Sequence, residues 1–238
     1  MQFRRSSIMI QILEKENGQS LKQYVYQTLS QNIVRLNLKP GEKLIEAEIS
    51  KLLGISRTPI REALLELSEK KLVDIIPRNG TFVSYIDMDI VSQFLYLRTV
   101  IERDLSKIAC DLITSDDIDY LHELIAIQKY YYEAQKPHKL LEYDIKFHSA
   151  IYRICNKEFL NNLILSLSVH FDRIRYLSMT RTEFILKISE HEEYLRALTD
   201  HNPDLAMKIS DEHMVHTFED FRWISDVFPQ YISQKKTD

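Results

Sequence analysis

Between positions 43 and 67 the apolar residues recur at three-and-four spacing in two runs separated by Gly54. In the first run Ile45, Ile49, Leu52 and Leu53 share a face while Glu46, Glu48 and Lys51 lie elsewhere; in the second, Ile60, Ala63, Leu64 and Leu67 form the stripe. Two short helices meeting at a tight turn are expected. A glycine just past a helix supplies the left-handed backbone conformation that ends it cheaply, and Ser56 is a good N-cap type for the next helix. Pro59 falls in the first turn, where a missing N–H costs little. Upstream, Leu21, Val25, Leu29, Ile33 and Leu36 make another helical stripe, ended by Asn37, Pro40 and Gly41. Downstream, residues 73–76 and 81–85 are β-prone runs separated by Pro77-Arg78-Asn79-Gly80, a turn sequence with Asn-Gly at its tip. The order is helix, helix, helix, two-stranded wing.

From residue 89 onward the pattern is helical throughout. Six segments are predicted, at 89–112, 116–135, 137–155, 158–179, 182–199 and 203–227, with capping residues such as Thr114 and Asn202-Pro203 between them. Only 4 glycines and 6 prolines are present, which argues against a many-turned β architecture. The predicted fold class is therefore mainly α: an N-terminal winged helix-turn-helix followed by an all-α antiparallel bundle of six or seven helices. The boundaries read as a flexible arm at 1–18 containing Arg4 and Arg5, a winged domain at 19–86, the bundle at 87–230, and a polar tail at 231–238.

Charge sharpens this division. The whole chain has formal net charge −4, but residues 1–85 hold 13 Lys+Arg against 9 Asp+Glu, while the remainder holds 18 against 26. The positive surplus sits at the winged end, where phosphate attraction would act over a Debye length of roughly 8 to 10 Å. The two cysteines, Cys110 and Cys155, lie in apolar helical stretches and are too few for a disulfide framework, and no run approaches the length of a membrane span. A cytoplasmic protein without a membrane segment is expected.

The second short helix carries Arg57, Thr58 and Arg61 near its N-terminal end, away from its apolar stripe. That is the placement of a recognition helix, whose first residues enter the major groove: arginine forks onto guanine O6 and N7, and threonine touches phosphate or a thymine methyl. The stretch LGISRTPIREALLELSEKKLVDIIPRNGTFV resembles the winged helix-turn-helix signature of GntR-type bacterial transcription regulators, and the resemblance runs from about Lys39 to Val83. It implies that Ser56, Arg57, Thr58 and Arg61 contact DNA from the recognition helix and that Asn79 and Gly80 carry the wing tip into the adjacent minor groove. Some relatives place a basic residue on the preceding helix; this chain has Ala47 there.

In the bundle the informative residues are histidines. Asp144 and His148 lie one helical turn apart in YDIKFH, His191 lies on the fifth predicted helix and His213 on the sixth. If those faces turn inward, one carboxylate and three imidazoles converge on a divalent cation, and an imidazole-rich set suits zinc or nickel. His122, His138, His170 and His201 read as surface or capping residues, and His216 is the nearest rival to His213.

Arg98-x-x-Ile101-Glu102, Asp144-x-x-Phe147-His148 with Asn156 closing that helix, Glu190-His191 and His213 together resemble the FCD ligand-binding domain, over most of residues 89–225. The resemblance implies that Asp144, His148, His191 and His213 hold a metal, as in the metal-binding branch of that domain, and that Arg98 and Asn156 serve a small, anionic effector. Arg98 is equally placed to pair with Glu102 at i+4. Six bundle helices rather than seven would resemble the VanR-type subgroup. The expected protein is a homodimeric regulator, a repressor among the expected roles. It would bind an approximately palindromic double-stranded DNA operator, because two-fold protein symmetry matches two-fold DNA symmetry. A carboxylate effector at the metal would modulate it. A metal-dependent hydrolase-like enzyme, and a regulator with a purely structural metal and no effector, are the alternatives.

Overall fold

The computed structural model describes residues 10–234, which fall into two compact units, one formed by the residues up to Met88 together with those from Gln230 on, the other by Asp89–Pro229. Arg4 and Arg5, and residues 235–238 of the polar tail, lie outside the described residues.

In the first unit α1 (Leu21–Val34) starts at a capping box: Ser20 Oγ accepts from the Gln23 N–H, and the Gln23 side chain accepts from the Ser20 N–H. Its buried face is Tyr24, Val25, Leu29 and Ile33, whereas Leu21 is exposed and Leu36 lies beyond the helix in the left-handed region. Next come α2 (Glu46–Leu53) and α3 (Arg57–Glu69), joined through Gly54 at φ 67°. The α3 stripe of Ile60, Ala63, Leu64 and Leu67 is buried as its spacing predicts and packs on α1 and α2. Each fully buried isoleucine or leucine here contributes about 1.5 to 3 kcal/mol before chain entropy is subtracted.

Several local expectations are corrected. Leu44 does not open a helix: Lys43–Leu44 forms a short strand, β1, which makes the wing sheet three-stranded in the order β1-β3-β2, with β2 at Val73–Ile76 and β3 at Gly80–Val83. All pairings are antiparallel, with Lys43 opposite Phe82 and Ile76 opposite Gly80. Ser56 occupies the N-cap of α3, but its side chain makes no cap hydrogen bond. The arm is not loose where it nears α1: Gln11 N–H donates to Asn32 Oδ1 at 2.7 Å, Asn32 Nδ2 donates to the Gln11 carbonyl at 2.9 Å, and Tyr24 O–H donates to the Leu13 carbonyl. Nor is the tail free at its start, because the Ile86 N–H donates to the Tyr231 carbonyl and the Ser233 N–H to the Ile86 carbonyl. This parallel bridge between Ile86 and Ile232 belongs to the winged unit.

The second unit contains seven α-helices: α4 (Met88–Leu112), α5 (Ser115–Glu133), α6 (Pro137–Ile154), α7 (Glu158–Leu167), α8 (Val169–Ser178), α9 (Ile185–Thr199) and α10 (Pro203–Val227), with a 3₁₀ turn at Thr182–Phe184. The fourth predicted segment is thus two helices. The break is at Ser168, whose hydroxyl donates to Asp172 Oδ2 at 2.6 Å and lies 3.1 Å from the Leu165 carbonyl, local side-chain contacts that compete with the helical ladder. α5 packs on α6 and α9, α9 on α10, and α10 on α8. Among the described residues, no helix is long and apolar enough to cross a membrane. Cys110 and Cys155 are free and buried.

Candidate functional site

The bundle brings His148 from α6, His191 from α9 and His213 from α10 together, with ring centroids 5.0 to 5.5 Å apart. One ring nitrogen from each lies within 4.8 Å of the other two. Three points so related all lie within 4.8/√3, about 2.8 Å, of a common centre, so a small inward movement reaches the ~2.0 to 2.1 Å of a zinc–imidazole bond. His191 is fixed by stacking on Phe147, with centroids 4.2 Å apart.

Each imidazole is also held from behind. His191 Nδ1 faces Gln128 Oε1 at 3.0 Å, His213 Nδ1 faces Glu190 Oε2 at 2.6 Å, and His148 Nδ1 faces Glu102 Oε2 at 3.2 Å. Acceptors at all three Nδ1 atoms select the tautomer whose Nε2 lone pair is free for a ligand bond. Nε2 of both His148 and His191 is buried without a hydrogen-bond partner. Orphaned buried nitrogens are costly, and inward-facing ones in a cluster fit a cation. Asp144, one turn before His148, is buried and turns Oδ1 toward His191 Nε2 at 3.7 Å, while Arg175 holds its Oδ2. The four residues read from the sequence are therefore neighbours, although only the three histidines form the tight cluster.

Electrostatics favour neutral imidazoles. Burial lowers the pKa of all three: His213 is brought down to about 4, His148 is lowered by burial and then by Arg98, and His191 falls well below its ordinary value through burial and the neighbouring histidines. Metal ligation requires the neutral form. Burial pushes the Glu102 carboxyl up, but Arg98 and His148 together outweigh it and leave the group below the usual carboxylate range. Glu190 is lowered in the same way, burial being outweighed by His213 and His216.

Arg98 is buried and paired with Glu102, Nε to Oε1 at 2.5 Å, which is the ion pair its i+4 spacing allows. His148 lines three small adjoining cavities, of about 20, 20 and 10 Å³; Arg98 and Arg175 line the second and third, and Lys187 the third. Asn156 is not brought there. It is exposed at φ 55°, just past the end of α6, where asparagine tolerates the left-handed conformation. His216 pairs with the outer oxygen of Glu190 at 2.5 Å, which makes it a neighbour of the cluster rather than a member. His170, expected at the surface, is buried.

Arg175, Gln128 and Lys187 were not readable as site residues. Gln128 reaches His191 across 63 positions and Arg175 reaches Asp144 across 31, distances at which no spacing rule operates.

On the winged unit Ser56, Arg57, Thr58 and Arg61 are exposed at the start of α3. The wing turn has Arg78 at φ 64° and Gly80 at φ 131°, with the Asn79 N–H donating to the Ile76 carbonyl.

A winged helix-turn-helix joined to a helical bundle is the architecture of a DNA-binding regulator. Residues 21–83 match the bacterial regulatory proteins of the gntR family and residues 93–216 match the FCD domain. The chain belongs to the GntR family of transcription regulators, with an FCD domain as its C-terminal half, and is not an enzyme. It is 27% identical to the HTH-type transcriptional repressor RspR of Escherichia coli (strain K12) over 220 residues, 91% of this chain and 96% of that one. It is 25% identical to the HTH-type transcriptional regulator YdhC of Bacillus subtilis (strain 168) over 203 residues, 84% of this chain and 90% of that one. Among solved structures, E. coli McbR/YncC has the same fold, with a TM-score of 0.73 at 23% identity, covering 86% of this chain and 99% of that one.

Proposed function

We propose that the chain is a metal-dependent regulator whose DNA binding responds to a small carboxylate. The observation that carries this reading is the three imidazoles held from behind by Glu102, Gln128 and Glu190, with the inner nitrogens of His148 and His191 left unpartnered. Asp144, His148, His191 and His213 would hold a divalent ion, zinc or nickel by the softness of the donors. A bound ion supplies positive charge that attracts an anionic acid. Arg98, Arg175 and Lys187 line the adjoining space and receive the remainder of the anion, while Phe94 and Phe171 exclude water beside them.

Ser56, Arg57, Thr58 and Arg61 read the operator from α3, and Asn79 and Gly80 enter the neighbouring minor groove. The operator is approximately palindromic and the protein binds it as a homodimer. The bundle supplies apolar surface for such a dimer: Tyr96 and Val100 on α4, and Phe159, Leu163 and Leu167 on α7, are exposed at helical spacing.

The test is fluorescence anisotropy on an operator duplex selected by the protein from a random pool, before and after metal removal by chelation. A panel of carboxylic acids is then titrated into the metal-loaded and metal-free forms. The reading expects acids that shift operator affinity only when metal is present. An identical response with and without metal would discard it in favour of a structural metal.

A further inference from the structure

Two DNA-reading features are tethered to the same four residues, Lys43-Leu44-Ile45-Glu46, which run from β1 into the first residue of α2. At one end Lys43 Nζ donates to the Asn79 carbonyl at 2.9 Å and lies 5.5 Å from the centroid of the Phe82 ring. Its stem fills the place a side chain at position 80 would take: a Cβ on Gly80 would meet Lys43 Cε at 2.8 Å. At the other end Glu46 Oε2 accepts from Arg61 Nε at 2.7 Å. Leu44, between them, is buried and paired opposite Thr81, so the segment is itself fixed. We infer that this segment presets the geometry between recognition helix and wing, with Lys43 and Glu46 as positioning residues for the Asn79-Gly80 tip and for Arg61. The inference rests on the reading that Arg61 and the wing tip contact DNA.

The Arg61 side chain that pairs with Glu46 is 62% exposed, and exposed ion pairs add little to stability, so folding does not explain the contact. A carboxylate beside the phosphate backbone also opposes binding to any DNA. What it gives is orientation. An arginine held at Nε keeps both terminal amino groups for a fork across guanine O6 and N7, and loses less rotamer freedom on binding. Lys43 acts likewise on the wing: one of its three donors secures the turn carbonyl, and the charge remains at the tip.

The two residues carry opposite charges, which makes the idea separable from plain electrostatics. The full-length protein would be measured on a duplex that the parent recovers from a random-sequence pool and on random duplex of the same length, with Lys43→Met, Lys43→Arg, Glu46→Gln and Arg61→Ala. Lys43→Gln and Glu46→Ala repeat the test with different side chains. As mere charges, Lys43 and Glu46 would shift both affinities by one factor, down for Lys43→Met and up for Glu46→Gln, with the selectivity ratio unchanged. As positioning residues, both variants lose about tenfold in that ratio, within the range of one bidentate base contact. Glu46→Gln nonetheless tightens on random duplex, and Lys43→Arg keeps the parent ratio. A ratio that stays at the parent value, or rises, in either neutral variant would overturn the inference. A parent-like ratio in Arg61→Ala would instead overturn the recognition-helix reading beneath it.

Discussion

Asp144 Oδ1 and His191 Nε2 stand 3.7 Å apart, too far for a hydrogen bond, with the second oxygen of Asp144 held by Arg175. Arg175 in turn bonds Asp172 at 3.0 Å, and burial, opposed by Ser168 and Arg98, raises the Asp172 carboxyl to about 6. A carboxylate anchored by one oxygen and turned toward an unpartnered imidazole nitrogen by the other is oriented for a shared ligand.

Alanine at His148, His191 or His213 should lower zinc or nickel affinity at least tenfold, and a ligand bound only to the folded state contributes about 2.7 kcal/mol at a hundred times its Kd. Metal content per chain and melting temperature of the metal-loaded form are the measurements, with His122→Ala as control. Full occupancy in all three variants, or equal loss in the control, would place the site elsewhere.

The residues behind the ring should matter almost as much. Gln128→Leu removes the acceptor at His191 Nδ1, and Glu190→Gln converts the carboxylate shared by His213 and His216 into an amide. Metal affinity should fall about 10- to 100-fold in each, as for other outer partners of ligating histidines. Competition against a chromophoric chelator measures it, and parent-like affinity in both would leave the Nδ1 contacts without a role in the site.

Metal-free protein should lose stability on acidification. The folded state holds His148, His191 and His213 below the ordinary histidine value of 6.5, so below that value the unfolded chain binds more protons. Their contribution is complete above about 6.5 and is lost as pH falls, through about 4 for His213. Asp172, raised from 3.8 to about 6, works the other way between those values, one group against three. Urea midpoints of chelated protein should therefore drop from pH 7 to pH 5; a flat or rising profile would contradict the burial of neutral imidazoles.

On DNA, Arg57→Ala and Arg61→Ala should each weaken operator binding by about 1 to 3 kcal/mol and relax preference at one base position, with Asn79→Ala acting more weakly. Selection from a random pool followed by sequencing shows which position relaxes. An unchanged preference in both arginine variants would remove α3 from base reading.

The parts that were legible in the sequence are those fixed by local periodicity. The stripe Ile60, Ala63, Leu64, Leu67 and the left-handed Gly54 define the helix-turn-helix unaided. Asp144 and His148 declare their shared face by being one turn apart, while His191 and His213 stand as candidates on their own helices and the resemblance then matches all four. What escaped was set by single side chains or by distant partners. The apolar period runs on through Ile164, Leu167 and Phe171, so nothing in it marks the break that the Ser168 hydroxyl makes. Lys43–Leu44 is too short to show alternation, and Leu44 and Ile45 fit a helical stripe equally well. Gln11 finds Asn32 only in three dimensions.

The pairing of Ile86 with residues 231–233 makes the bundle an insertion: about 140 residues lie between the two sides of that bridge. Were the bundle unfolded, closing a flexible loop of that length would cost about 4 kcal/mol, more than the roughly 1 kcal/mol net of each backbone hydrogen bond in the bridge can return. With the bundle folded, its ends are already fixed and most of that cost is gone. The segment at residues 231–233 can therefore stay seated in the winged unit only while the inserted domain is intact, so amide exchange at Ile86 and Ser233 would report the folding of a domain to which neither residue belongs.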